Sequence, residues 1–216
     1  MLLALHPVGA SNPAADAETE EHLIAAHPAN LRRVGERLEI RLPGLEPITF
    51  VDRSCEELEG HDCVHYRLDA VFTGGEPAPA PSFGVEEKYF EGSSYTLVTS
   101  DGMMIETGAR PVASPDGRYL ASAASSDSHP PDTGILLLER GENGAVRPVR
   151  AVPTGALTNY SELRWMGTGC VTLLASVADR WGAYGQQQNF YLVQASPEWT
   201  LTTDAAICTA SMRDTK

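Results

Sequence analysis

Arg37-Leu38-Glu39-Ile40-Arg41-Leu42 alternates charged and apolar residues without a break. Successive side chains of a strand point to opposite faces, so a period of two builds a ribbon with one wet and one buried face. A helix would need its apolar residues three and four apart, and here they recur every second position. Pro43-Gly44-Leu45-Glu46 turns the chain, and Ile48-Thr49-Phe50-Val51 returns. Val64, Tyr66, Leu68, Ala70 and Phe72 then line one face of a further strand.

Further along, the same reading gives hairpins in series. Tyr95-Thr96-Leu97-Val98-Thr99 leads through Asp101-Gly102 into Met103-Met104-Ile105, and Asp-Gly between apolar strands predicts a two-residue turn with positive φ at both positions. Residues 135–139 and 145–152 flank Gly141-Glu142-Asn143-Gly144. Leu163-Arg164-Trp165 and 170–174 flank Gly167-Thr168-Gly169. Residues 190–193 and 199–201 flank Ser196-Pro197-Glu198. Fifteen prolines and nineteen glycines among 216 residues suit many short strands better than long helices. The expectation is an all-β protein of at least about ten antiparallel strands. Its single domain covers 35–216, with a Pro-rich loop at 76–81.

Upstream of residue 35 the pattern changes. Residues 16–27 predict one short helix, with Asp16 as N-cap, Leu23, Ile24 and Ala26 as its apolar side and Pro28 as its stop. Residues 18–34 read as a leader. Residues 1–17 read either as the remnant of a signal peptide or as a flexible tail. Met1-Leu2-Leu3-Ala4-Leu5 is a short apolar run, and Ala15-Asp16-Ala17 is the small-x-small pattern at which a signal peptidase cuts.

A formal charge of −13 argues against nucleic acid or an anionic membrane as partner, since both demand a positive surface. No stretch approaches the ~18 apolar residues of a spanning helix, so membrane insertion is not expected. The four cysteines, Cys55, Cys63, Cys170 and Cys208, permit three pairings. Short-loop closure favours Cys55 with Cys63, leaving Cys170 with Cys208. An even count together with the N-terminal pattern places the chain in the periplasm or outside the cell.

Two segments align loosely, one from Ala113 to the hairpin ending near Val152, the other from Leu163 to the hairpin ending near Thr202. Each reads strand, tight turn, strand, loop, hairpin, at a period of about 45 residues, the size of a four-stranded propeller blade. Within the first, Ser114-Pro115-Asp116-Gly117-Arg118-Tyr119-Leu120-Ala121 resembles the turn between the first two strands of WD-like propeller repeats, such as those of the Tol-system periplasmic propeller protein. Pro115 presets φ, Asp116 bonds back to the backbone and Gly117 accepts positive φ. The second segment carries Gly167-Thr168-Gly169 there instead, and the WD dipeptide is absent. The resemblance implies blade-like antiparallel sheets in a propeller-like array. A β-sandwich is the alternative, because closing a ring takes about four blades and the chain has little room for them.

Chemistry is sparse. The sequence has no Gly-x-Ser-x-Gly elbow, phosphate-cradling loop, His-Glu-x-x-His or EF-hand. No cofactor is expected, and no metal. His61, Cys63 and His65 alternate but lack a fourth ligand. Asp127 and Asp132, in the polar stretch 125–134, match an exposed loop as well as a calcium site. Trp181, Tyr184, Gln186, Gln187 and Gln188 combine aromatic rings with amides and form a candidate contact loop. The leading expectation is therefore a non-enzymatic periplasmic or secreted protein that mediates protein–protein interaction. The alternative is a hydrolase using His65 or His129 with a nearby acid.

Overall fold

The structure is a computed structural model, and it describes residues 13–54, 63–74, 80–89, 92–124, 134–141, 143–152, 157–178, 184–195 and 198–211. Among these are fifteen strands and two short helices. The strands form four antiparallel sheets, each an up-and-down meander of consecutive strands.

The first sheet contains β1 (Leu31–Val34), β2 (Arg37–Ile40) and β3 (Ile48–Val51). Leu38 and Ile40 of β2 are fully buried while Arg37 is exposed, as the alternation requires. This sheet begins at Leu31, inside the segment expected to be a leader. Helix α1 (Pro13–Ala26) precedes it, close to the helix expected at 16–27. Its Leu23 and Ile24 pack on the core between the first two sheets.

The second sheet runs β4 (Val64–Phe72), β5 (Ser82–Tyr89), β6 (Gly92–Val98), β7 (Met104–Glu106). Here β4 departs from the expected single face. Leu68 pairs with Val85 and Ala70 with Gly84, so Asp69 is an extra residue, a β-bulge. One inserted residue reverses every later side chain. Tyr66 and Leu68 thus join the core against the first sheet, while Ala70 and Phe72 join the core against the third.

The β6–β7 hairpin also refines its expectation. Gly102 has φ of +82°, Asp101 does not take positive φ, and the Thr99 N–H bonds to the Met103 carbonyl. The loop is therefore one residue longer than the two-residue type and needs only one left-handed position.

The third sheet runs β8 (Val112–Ala113), β9 (Tyr119–Ala124), β10 (Gly134–Arg140), β11 (Val146–Val152). The turn at 114–118 joins β8 to β9, which pair through Ala113 and Leu120. Gly117 has φ of +70°, its N–H bonds to the Ser114 carbonyl, and Asp116 accepts from Ser114 Oγ at 2.6 Å. The fourth sheet runs β12 (Leu157–Trp165), β13 (Cys170–Ala178), β14 (Tyr184–Ala195), β15 (Glu198–Thr202). The two aligned sequence segments are these two sheets.

Neighbouring sheets pack face to face, in the layered manner of a sandwich. One core joins the first and second sheets, another the second and third, and a third the third and fourth. Among the described residues no core cluster joins the first sheet to the fourth. At the last junction Tyr119 meets Trp199 edge-on at 5.2 Å, and Trp165 meets Trp199 edge-on at 6.1 Å. Such pairs add about 0.5–1.5 kcal/mol beyond area burial. Trp165 Nε1 also donates to the Val112 carbonyl across the same junction, at 2.8 Å.

The short helix α2 (Ala205–Ser211) follows β15 and was not expected from the sequence. Asp204 starts it, its Oδ1 accepting the Ala206 N–H at 2.9 Å. The Cys170–Cys208 disulfide, with Cα atoms 5.6 Å apart, ties α2 to the start of β13. Cys170, Val193 and Cys208 are buried together there, with Tyr191 packed against them. Among the described residues no helix is long and apolar enough to cross a membrane.

Candidate functional site: the His65 cavity

The isolated bridge between Arg53 and Val64 carries the line of β3 onto the start of β4, with backbone bonds in both directions. In an antiparallel ladder this places Asp52 opposite His65. The pair is formed: His65 Nδ1 lies 2.8 Å from Asp52 Oδ2.

Asp52 is itself fixed. Its Oδ1 accepts the Tyr66 N–H at 2.8 Å, and its Oδ2 lies 3.1 Å from Arg33 Nη1. Arg33 pairs in turn with Glu20 of α1 at 2.9 Å and donates to the Tyr66 carbonyl. Glu20 is buried and accepts the Leu68 N–H at 2.8 Å. A chain of paired groups, with Arg33 shared between Glu20 and Asp52, therefore runs from the helix to the imidazole.

A carboxylate oxygen can only accept a hydrogen bond, so Nδ1 carries a proton and Nε2 is the basic nitrogen of the neutral ring. His65 remains 57% exposed, against 14% for Asp52. It opens on a cavity of about 450 Å³ whose lining is mostly apolar, with Val64, Tyr89 and the disulfide-bonded Cys63 among its walls. Arg53, Lys88, Glu36 and Ser54 also reach this lining.

A second cavity, of about 350 Å³, lies on the second sheet and is of another kind. Asp69 meets Arg67 at 3.0 Å, Arg110 at 3.2 Å and the Tyr95 hydroxyl at 3.2 Å, while Glu86 meets Arg67 at 2.6 Å. Each carboxylate has its guanidinium, so this network is satisfied within itself. Burial, followed by the Asp69 charge, pushes the Tyr95 hydroxyl far above the ordinary tyrosine range.

The other sequence candidates fall in different places. His61, Cys55, Asp127, His129, Asp132 and Trp181 lie outside the described residues. Cys63 is disulfide-bonded. Gln186, Gln187 and Gln188 belong to strand β14, not to a loop, and Gln187 and Gln188 pair with Ser176 and Ala175. Their amides are exposed, as a contact surface requires. The polar character of the stretch masked its strand identity, because an exposed edge of a long strand carries no apolar alternation. Among the described residues no group of three metal-ligating side chains occurs.

Sequence reading named His65 but not its partner. Asp52 carried a signal only through the returning strand at 48–51, whose extension by the Arg53 bridge was not legible. No protein-family model, no curated protein and no solved structure matches the chain.

Proposed function

We propose that the protein works by binding another protein in the periplasm or outside the cell, using a rigid array of blade-like sheets as its scaffold. The observation that carries this reading is the mostly apolar cavity at the junction of the first two sheets, with charged groups around it. Such a concave site with few polar groups is what an anchoring side chain of a partner fills. The chain-ordered meanders support the comparison of each sheet with a propeller blade. The Cys170–Cys208 disulfide supports an oxidising compartment.

The test is a photo-crosslinking residue placed at Tyr89, on the cavity, in the cells that make the protein. One discrete adduct is expected, absent when the same group stands at Asp204 and lost when Val64→Arg fills the cavity. Adducts equally strong from both positions would defeat the reading.

One observation favours a second reading, a hydrolase. The imidazole of His65 is oriented by a carboxylate that is itself held from two sides, and this is the support a general base needs.

A further inference from the structure

We propose that the His65 cavity receives a tryptophan side chain displayed by the partner protein, with the indole N–H donating to His65 Nε2. This deepens, and rests on, the reading of the cavity as the seat of a partner's anchoring side chain. Three features of the site combine to support it.

The first is a hydrogen-bond acceptor of fixed direction. Nδ1 is committed to Asp52 Oδ2 at 2.8 Å, and Asp52 is held in turn by the Tyr66 N–H and Arg33. With the proton on Nδ1, Nε2 presents its lone pair on the far side of the ring from Asp52. Among the described residues no group donates to it. The ring is more than half exposed, so a donor brought from outside can reach that nitrogen.

The second is the volume and character of the cavity. About 450 Å³ between mostly carbon walls accommodates a bicyclic ring. Val64 and the Tyr89 ring are among those walls, and an aromatic anchor packs on a tyrosine ring edge-on or offset. Tyr89 is 41% exposed in the unbound chain, apolar surface that such an anchor would cover.

The third is charge. The lining carries Arg53 and Lys88 against Glu36 and Asp52, two groups of each sign. Lys88 stands 3.7 Å from Glu86, and Arg33 is shared between Glu20 and Asp52. An ion of either sign therefore gains little here, and a neutral group loses the least hydration on entry. Indole is neutral, and its one polar group is a donor with no acceptor. The single acceptor at Nε2 satisfies it completely. A tyrosine hydroxyl would add lone pairs that the carbon walls do not serve. A phenylalanine or aliphatic anchor would cover Nε2 and leave it unpaired, which costs more than an exposed acceptor.

The experiment titrates the full chain with N-acetyl-tryptophanamide, with its benzothienyl analogue (sulfur in place of the indole N–H), with N-acetyl-tyrosinamide and with free tryptophan. N-acetyl-tryptophanamide should bind saturably with a Kd of about 1 mM or tighter, moving the nitrogen-15 resonance of His65 Nε2. The benzothienyl analogue, of the same shape, should bind about 3–10-fold more weakly. His65→Leu should bind the two compounds equally. That variant leaves folding intact, because the position is exposed and Asp52 keeps the Tyr66 N–H and Arg33. Equal binding of the two by the wild type, or tighter binding of N-acetyl-tyrosinamide or of free tryptophan, would overturn the tryptophan anchor and leave the wider role of the cavity standing. Binding by none of the four would overturn it too. If the discrete adduct from Tyr89 were also missing, both readings would fall.

Discussion

Gly74 lies against Gly117: a Cβ built on Gly74 would stand 2.7 Å from the Gly117 carbonyl oxygen and 2.8 Å from Arg140 Nη1. The end of the second sheet thus meets the first turn of the third through bare backbone. Arg140 closes the same joint, its Nη2 donating to the Phe72 carbonyl at 3.1 Å. Burial alone pushes its guanidinium below the usual arginine value.

Both glycines are therefore constrained, for different reasons. Gly74→Ala should cost about 1–3 kcal/mol, because two of the three atoms it meets are Gly117 backbone and cannot yield cheaply. Gly117→Val should cost about 1–2 kcal/mol from its φ of +70°. Urea unfolding measures both. A neutral Gly74→Ala would mean that the two sheets do not meet at this point.

The Cys170–Cys208 bridge closes 38 residues of chain. Chain entropy assigns a loop of that size about 4 kcal/mol. Cys208→Ser should lower stability by about 2–4 kcal/mol and loosen α2 first, because the short helix then loses its one covalent tie and keeps only noncovalent contacts such as the Asp204 cap and the packing around residue 208. Hydrogen exchange on residues 205–211 before and after the substitution is the readout. Unchanged exchange there would show that α2 is held by packing alone.

Asp101 links two sheets across the surface, its Oδ2 lying 2.5 Å from Nη2 of Arg147 on β11. The Arg147 bond, and then the Thr99 hydroxyl, lower its pKa from 3.8 to about 2. A depressed carboxylate stabilises the fold fully above its ordinary value and loses that contribution as pH falls. The window is therefore from about pH 4 down to about pH 2. Both partners are well exposed, so a few tenths of a kcal/mol is the expected size. The stability gap between wild type and Asp101→Asn should shrink across that window and shrink in high salt. A gap that ignores both would assign the effect to the turn instead.

Tyr95 stands where Gly84 has no side chain. A Cβ on Gly84 would overlap the Tyr95 hydroxyl and lie 2.8 Å from its Cε1, and a ring in a packed sheet cannot move aside. Gly84→Ala should cost about 1–3 kcal/mol, while Tyr95→Phe should cost about 1 kcal/mol, since Asp69 keeps both arginines. A raised hydroxyl pKa favours the neutral form of the fold, so its stabilisation is complete below the ordinary value of 10.0 and declines above it. Ultraviolet titration should show at least one tyrosine missing from the ordinary phenolate transition until the chain unfolds, and Tyr95→Phe should remove one such slow titrator. If every tyrosine ionises together in the native state, Tyr95 is not buried as described.

What the sequence made legible was local. The alternation at 37–42 became β2, the turn at 114–118 became a left-handed glycine between paired strands, and the two aligned segments became two sheets. The bulge at Asp69 was not legible, because the apolar residues of β4 keep a period of two straight through it. The reversal of faces shows only when the partner residues Val85 and Gly84 are known. Glu20 was hidden for a similar reason. A glutamate in a charged helix reads as solvated, and only the Leu68 N–H and Arg33, distant in sequence, explain its burial. His65 was named from its residue type, whereas Asp52 acquired meaning only once β3 and β4 were joined.

Because each sheet is made of consecutive strands and shares its core with the next sheet along the chain, the molecule is close to a one-dimensional array. In such arrays stability is nearly a sum of unit terms and nearest-neighbour terms, and cooperativity frays from the weaker end. The weaker end is the first sheet, with three short strands and with Val34 and Val51 about half exposed on its outer side. The stronger end is the aromatic joint of the last two sheets, reinforced by the covalent link at Cys170. Unfolding should therefore advance along the chain as a front, and the His65 cavity, built into the first joint, sits where that front begins.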